Sequence, residues 1–283
     1  MWYREILAYV GTGDEAAGPA SVAVAVAARF AARLRAVVID ADVVDYTELD
    51  RAVFDSEREQ AIARLAERRR AGHAAARRAE EAVRAAAGAC EVPHDVMLRH
   101  GTPEDVPDLV ADLARVHDLV VVPAADMVAG HAAPIVEQVL FGSGRPLLLI
   151  PRDTTAEGRL DVVCIAWDGS RAATRAVHDA LPLLRRARRV EIVSITDEKP
   201  LDRSPSGDDL VRHLAAHEIA ARHHAVGLGG LPVGEQLMTE ALRLEGDLMV
   251  MGAYGHARVR QLVFGGATRS VLAAPSLPVL MSY

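Results

Sequence analysis

The sequence predicts an α/β protein of two tandem, open, doubly wound domains, each with a five-stranded parallel sheet, related by internal duplication. Apolar strand-like runs alternate with Ala-rich helical patterns along the 283 residues, and such alternation is typical of parallel sheets with right-handed crossovers. The runs from Leu119 to Val122 and from Leu147 to Ile150 are continuous, as expected of strands covered on both faces. The third observation is that the order of elements occurs twice.

The duplication is visible as a gapless internal alignment. The segment GTPEDVPDLVADLARVHDLVVVP begins at Gly101, and GLPVGEQLMTEALRLEGDLMVMG begins at Gly230. The offset stays constant along both segments, so that Asp118 meets Asp247. Self-similarity at a fixed spacing is typical of repeated structural units. We therefore expect the two halves to share one topology.

The periodicity of apolar residues predicts matching elements in both halves. In the first half we expect strands at 4–10, 36–41, 92–99, 118–123 and 146–151, with helices at 18–34, 46–89, 103–116 and 131–142. In the second half we expect strands at 161–167, 189–195, 247–252 and 277–282, a short strand near 225–228, and helices at 170–186, 207–224, 233–244 and 262–273. The stretch RDTTAEGR has linker composition, which places the domains at 1–152 and 153–283.

Composition excludes several partners. The net charge is −7, from 32 Lys and Arg against 39 Asp and Glu, and gives no field that would attract nucleic acid or an anionic membrane surface. Lys199 is the single lysine, so a lysine phosphate clamp or Schiff base is not expected. No uncharged apolar run approaches 18 residues, and no secretory leader is apparent. We expect a cytoplasmic protein.

A glycine-rich segment from Met251 to Ser270 begins where a strand is predicted to end. A strand end, a glycine turn and a helix N-terminus together form an anion cradle of backbone N–H groups that needs no lysine. In an open parallel sheet such ligands bind at the carboxyl edge. The candidate phosphate-binding residues are Gly252, Gly255, Gly265, Gly266 and Thr268.

Asp168 follows the first predicted strand of the second half, so it is expected across the crevice from these glycines. AWDGS at 166–170 and GAYGHARVRQLVFGGATR at 252–269 resemble the universal stress protein family, and the resemblance covers both halves, as in a tandem two-domain member. It implies a five-stranded parallel domain that in some members binds ATP, with Mg²⁺ accompanying the nucleotide. It also implies that Asp168 contacts the adenosine and that the glycines form the phosphate turns. Gly266 stands where the family usually has Ser or Thr, and Trp167 is bulkier than expected beside the base.

The first half departs further from the family pattern. In the internal alignment Pro123 replaces Gly252 and Asp126 replaces Gly255, which removes an amide donor and places a carboxylate toward the phosphates. Val10 occupies the place of Asp168. We therefore expect the first half to bind no nucleotide and to cover the apolar edge of the second as an intramolecular partner. A homodimer through a remaining edge strand stays open.

Other motifs predict no catalytic residue and no metal site. The chain has no G-x-S-x-G or HExxH sequence, and we expect His213 and His217, four residues apart on a predicted helix, to be exposed and unliganded. Three functional classes remain: a non-enzymatic stress protein whose second half senses or stores ATP, a scaffold that binds a protein partner, and a slow ATPase. The scaffold would use the charged helix at 46–89, and the ATPase lacks a candidate base.

Overall fold

The structure is a computed structural model that describes residues 3–12, 17–41, 55–102, 104–124, 132–151, 154, 159–197, 205–253, 266–273 and 275–283. The first half contains β1 (Glu5–Val10), α1 (Ala17–Phe30), β2 (Arg33–Ala41), α2 (Asp55–Ala89), β3 (His94–Gly101), α3 (Val106–Ala114), β4 (Leu119–Pro123), α4 (Ala132–Gln138) and β5 (Leu147–Ile150). The second half contains β6 (Val162–Ala166), α5 (Arg171–Leu184), β7 (Arg189–Ile195), α6 (Gly207–Ala216), β8 (Ala221–Val226), α7 (Val233–Arg243), β9 (Leu248–Gly252), α8 (Gly266–Ala273) and β10 (Val279–Ser282).

The strands form one sheet in the order β3-β2-β1-β4-β5-β10-β9-β6-β7-β8. Within each half all described pairs are parallel, and the order is the same when each half is read from its last strand outward. One apolar layer joins the sheet to α1, α2, α5 and α6, and a second joins it to α3, α4, α7 and α8. Helices on both faces confirm the predicted doubly wound α/β class.

The two halves join through their edge strands. β5 and β10 pair antiparallel, with Leu148 opposite Leu280, and every residue of both strands is buried. On one face the Tyr3 hydroxyl donates to the Asp179 carbonyl oxygen at 2.6 Å across the junction. The expectation that the first half covers an edge of the second agrees with this pairing, which leaves β3 and β8 as the sheet edges.

The aligned aspartates make the same contacts in the two halves. Asp118 Oδ2 accepts from the backbone N–H groups of Arg4 and Glu5 at 2.7 and 3.0 Å. Asp247 Oδ2 accepts from the N–H groups at Asp161 and Val162 at 3.1 and 2.9 Å. Each carboxylate thus fixes the start of the first strand of its half from the turn before the fourth strand. The two aspartates that the gapless alignment pairs therefore make equivalent contacts in the structure.

One predicted element is wrong. The helix expected at 207–224 ends at Ala216, and the chain returns as the strand Ala221–Val226. The turn between them passes through Glu218 at φ 63°, a left-handed conformation that stops a helix. His224 therefore lies on an edge strand, where its Nε2 is 2.8 Å from Glu191 Oε2. Of the helix expected at 46–89, residues 55–89 are helical, and 46–54 lie outside the described residues.

No helix among the described residues is long and apolar enough to cross a bilayer.

Candidate functional site

The carboxyl edge of β6 and β9 is where the sequence predicts the ligand crevice. These two strands are neighbours, with Ala166 opposite Met251. The order reverses here, because the chain crosses outward from β6 to β7 and returns to β9 on the other side. Open α/β sheets bind ligands at such a reversal point. Asp168 and Gly252 lie at the ends of these strands, so the fold brings the predicted adenosine contact and the first phosphate glycine to one edge.

Asp168 forms part of the turn that starts α5. Its Oδ1 accepts from the Ser170 N–H at 3.0 Å, and Gly169 has φ 68°. Ser170 then caps the helix by accepting from the Ala173 N–H at 3.1 Å. Asp168 itself is exposed. One carboxylate oxygen is thus used by the turn, and the group still faces solvent, where it can accept from a ribose hydroxyl or a base amino group.

Trp167 does not point into this crevice. Its side chain is buried in the layer with α5 and α6, and its indole N–H donates to the Pro205 carbonyl oxygen at 2.9 Å. It lines a cavity of about 630 Å³ between those helices, together with Val177 and Leu210. The bulk of Trp167 therefore does not obstruct the edge beside Asp168.

Gly252 is required by packing whether or not a ligand binds. A Cβ built on Gly252 would lie 2.5 Å from the Ala172 carbonyl carbon and 2.9 Å from the Ala172 Cβ, and closer still to the Ala173 nitrogen. The end of β9 thus lies directly against the first turn of α5. The close approach explains a glycine at this position as well as the predicted phosphate turn does.

Gly266 is the exposed glycine at the first position of α8. A Cβ built there meets no atom within 4 Å, so a small side chain at this position would have room. Thr268, two residues on, is 3% exposed, which makes Gly266 the more accessible member of this pair. Gly255 and Gly265 lie outside the described residues.

The corresponding edge of the first half has different chemistry. Val10, at the place of Asp168, is buried, and Pro123 ends β4 opposite Ile150. Neither side chain can accept a hydrogen bond, and Pro123 has no backbone N–H. Asp126 lies outside the described residues.

A Ser-His-Asp row in the second half is unsuited to catalysis. His223 Nδ1 lies 3.0 Å from Asp208 Oδ1, and His223 Nε2 lies 3.2 Å from Ser194 Oγ. These distances resemble a nucleophile activated by a base. Ser194, however, is 3% exposed and lies within β7. A substrate carbonyl has no access to it, so the row satisfies buried polar groups.

A third polar cluster, in the first half, is not evident from the sequence. Asp40 near the end of β2 and His100 near the end of β3 are opposite each other in the sheet, and His73 on α2 lies beside Asp40. Matching the ends of β2 and β3 could have paired Asp40 with His100. Only the packing of α2 brings in His73.

Comparison with known proteins agrees with this architecture. Residues 160–282 match the model of the universal stress protein family. Over 34 residues the chain is 56% identical to universal stress protein Slr1230 of Synechocystis sp. (strain ATCC 27184 / PCC 6803 / Kazusa), a match that spans 12% of this chain and 12% of that protein.

Two examples show that solved structures resemble the whole chain. A universal stress protein from Archaeoglobus fulgidus DSM 4304 has a TM-score of 0.69 at 14% identity, covering 99% of this chain and 97% of the other. PA1789 from Pseudomonas aeruginosa PAO1, described as functionally unknown, has a TM-score of 0.54 at 14% identity, covering 99% and 92%. At this identity the likeness shows the fold.

The fold and strand order thus define an α/β protein of two joined doubly wound halves. Within it, residues 160–282 of the second half match a universal stress protein domain.

Proposed function

We propose that the second half binds an adenine nucleotide, ATP with Mg²⁺, as a sensor or switch and without turning it over. The observation that carries this proposal is that Asp168 and Gly252 follow or end neighbouring strands at the point where the strand order reverses. The exposed N-terminus of α8 at Gly266 supports it, because helix N-termini stabilise phosphate through free N–H groups and the helix dipole.

The roles of the residues follow from their chemistry. Asp168 accepts hydrogen bonds from the adenosine part, and the Gly266 N–H donates to a phosphate oxygen. Gly252, Gly255, Gly265 and Thr268 complete the proposed site. No lysine takes part, so backbone dipoles provide the attraction for the phosphates. The bound Mg²⁺ supplies the remaining neutralisation of phosphate charge.

A sensor fits the geometry better than an ATPase. Among the described residues at the crevice, no side chain is positioned to activate a water molecule, and the Ser194–His223–Asp208 row is closed to solvent at its serine. Phosphoryl transfer depends on positioning a nucleophile as well as on stabilising charge. We therefore assign the site to binding.

The scaffold alternative finds less support. Charged side chains of α2 pair within the helix: Glu80 accepts from Arg84 at 2.8 Å and from Arg77 at 3.2 Å. The hydrogen bond from Arg84 lowers the pKa of the Glu80 carboxyl group. Such i,i+3 and i,i+4 pairs are typical of a solvated helix face, and a docking surface would present its charges to a partner.

The proposal includes the organisation and location of the protein. The domain boundary lies between β5, which ends at Ile150, and β6, which begins at Val162. The first half, without a nucleotide site, acts as the intramolecular partner through the β5–β10 pairing. We place the protein in the cytoplasm, without nucleic-acid or membrane partners. The edges β3 and β8 are where a homodimer would form.

Calorimetric titration of the full chain with MgATP tests the proposal. D168N keeps an oxygen that can accept from the Ser170 N–H, so the turn stays intact, while the charge and one acceptor are lost. A hydrogen bond to a charged group contributes about 1.5–3 kcal/mol, so we expect the affinity to fall about tenfold or more. The matched control is D112N, which removes an exposed carboxylate of α3 in the first half.

A second variant, G266S, introduces the hydroxyl group that the family usually has at this position. Because a Cβ at Gly266 meets nothing within 4 Å, G266S fits without strain and should tighten MgATP binding. Absence of binding by the wild type at millimolar MgATP would overturn the proposal in favour of the scaffold. Equal affinities for wild type and D168N would remove Asp168 from the site.

A further inference from the structure

We propose that Asp40, His73 and His100 form a binding site for a divalent transition metal ion, for which Zn²⁺ is the probe. Among the described residues these three form a group whose potential ligand atoms all lie within 4.8 Å of one another. The site lies in the first half, separate from the proposed nucleotide crevice, and does not depend on nucleotide binding.

The backbone directs the three side chains to one place. Asp40 and His100 are opposite each other in the parallel pair of β2 and β3, so their side chains leave the sheet on the same face. Two residues earlier, Val38 and Leu98 pack in the layer with α2, and side chains two apart on a strand share a face. The aspartate and the histidine therefore both face α2.

His73 reaches the pair from α2. The inward stripe of this helix comprises Ala76, Ala79, Val83 and Ala87, and His73 extends it by one step of three residues toward the strand ends. A Cβ built on the preceding Gly72 would lie 3.5 Å from Asp40 Oδ1, so the helix backbone passes close to the carboxylate. The backbone of α2 therefore places His73 beside Asp40.

The contacts converge on one oxygen atom. His73 Nδ1 forms a hydrogen bond with Asp40 Oδ2, and His100 Nδ1 lies 3.2 Å from the same oxygen. The two imidazole centroids are 5.7 Å apart in an edge-to-face arrangement. Two imidazole nitrogens and a carboxylate oxygen are the donor set of His₂-carboxylate Zn²⁺ centres, and non-haem Fe²⁺ sites use it too.

The three side chains differ in how far they are buried. The Asp40 side chain is 6% exposed, whereas those of His73 and His100 are 51% and 67% exposed. A buried carboxylate is costly unless a cation lies beside it. The exposed rings can rotate to bring their nitrogens to the distances that a metal needs, of about 2.0–2.1 Å. Three protein ligands leave a coordination position open to solvent.

The second half provides an internal comparison. Asp197 lies just beyond the end of the second strand of its half, where its Oδ2 accepts from the Leu228 N–H at 3.3 Å and its Oδ1 from the Thr196 hydroxyl at 2.9 Å. Neither partner is a metal ligand of the imidazole type. Among the residues that the structure describes, the second half thus has no equivalent of the cluster at Asp197.

The test uses the full chain, freed of metal by a chelator and titrated with Zn²⁺ by calorimetry and with Co²⁺ by visible absorption. We expect one Zn²⁺ per chain at this site, and a Co²⁺ spectrum typical of mixed nitrogen and oxygen ligation. H73A and H100A should each weaken Zn²⁺ binding by at least about tenfold, the effect that even supporting residues have in metal sites. Both histidines are exposed, so these variants should fold, as circular dichroism would check.

Two controls separate this site from other histidines. H94A removes a histidine of the same strand whose Nδ1 bonds the Val92 carbonyl oxygen, and D197N changes the comparison site. Both should bind Zn²⁺ like the wild type. All titrations are repeated in an H213A/H217A background, because those rings lie 4.9 Å apart and could hold Zn²⁺ themselves. Absence of Zn²⁺ binding in this background would overturn the proposal. So would H73A or H100A variants that bind Zn²⁺ as tightly as the same background without the added substitution.

Discussion

Replacing Gly252 by alanine tests whether this glycine serves packing. The added methyl carbon would lie 2.5 Å from the Ala172 carbonyl carbon, whereas carbon atoms pack at about 3.5–4.0 Å. Relief requires the end of β9 and the start of α5 to separate by about 1 Å. Overpacking of this kind costs about 1–3 kcal/mol. We expect the free energy of unfolding to fall by that amount.

Urea denaturation of the full chain measures this loss, and G266A is the matched control. A Cβ at Gly266 meets nothing within 4 Å, and alanine is the better helix former by up to about 1 kcal/mol. G266A should therefore be as stable as the wild type or slightly more stable. If G252A unfolds at the same urea concentration as the wild type, the packing argument is refuted, and the glycine serves only the approach of a ligand.

Three further predictions concern single groups. Burial raises the pKa of the Cys164 thiol to about 12, so a thiol reagent should label the exposed Cys90 alone in the native protein and both cysteines after denaturation; two labels before unfolding would contradict this. Burial also lowers the pKa of His117, so the unfolded chain takes up the proton more readily than the folded protein. The free energy of unfolding should therefore fall as the pH drops below about 6.5. If H117Q loses stability with falling pH just as the wild type does, His117 does not cause the loss. D247A leaves two backbone N–H groups without their acceptor, so the free energy of unfolding should fall by about 1–3 kcal/mol. D118A should have the same effect in the first half. If urea denaturation shows either variant to be as stable as the wild type, the shared role of the two aspartates is contradicted.

The sequence predicts the fold well because its signals are local. Continuous apolar runs and glycine-punctuated turns define nine of the ten strands closely, and the aligned Asp118 and Asp247 make matching contacts. The exception is β8, ARHHAV, whose two histidines and arginine do not give an apolar strand pattern. These side chains are tolerated because β8 is an edge strand and His224 meets a buried glutamate on β7.

The site is less predictable because its parts depend on close approach in three dimensions. Asp168 and Gly252 could be placed at one edge from strand order alone, whereas the collision that a side chain at Gly252 would cause depends on how α5 sits. The cluster of Asp40 and His73 involves residues 33 positions apart on different elements, without a spacing motif. Such convergence becomes visible only once the helix is packed on the sheet.

In the proposed function, the second half holds the nucleotide at the carboxyl edge of its sheet. Crystals of the full chain grown with MgATP test it most directly. We expect electron density for the nucleotide at the carboxyl ends of β6 and β9, with the adenosine part at Asp168 and phosphates at the Gly266 end of α8. Density at the edge near Val10 and Pro123 instead, or an empty crevice at saturating MgATP, would contradict it.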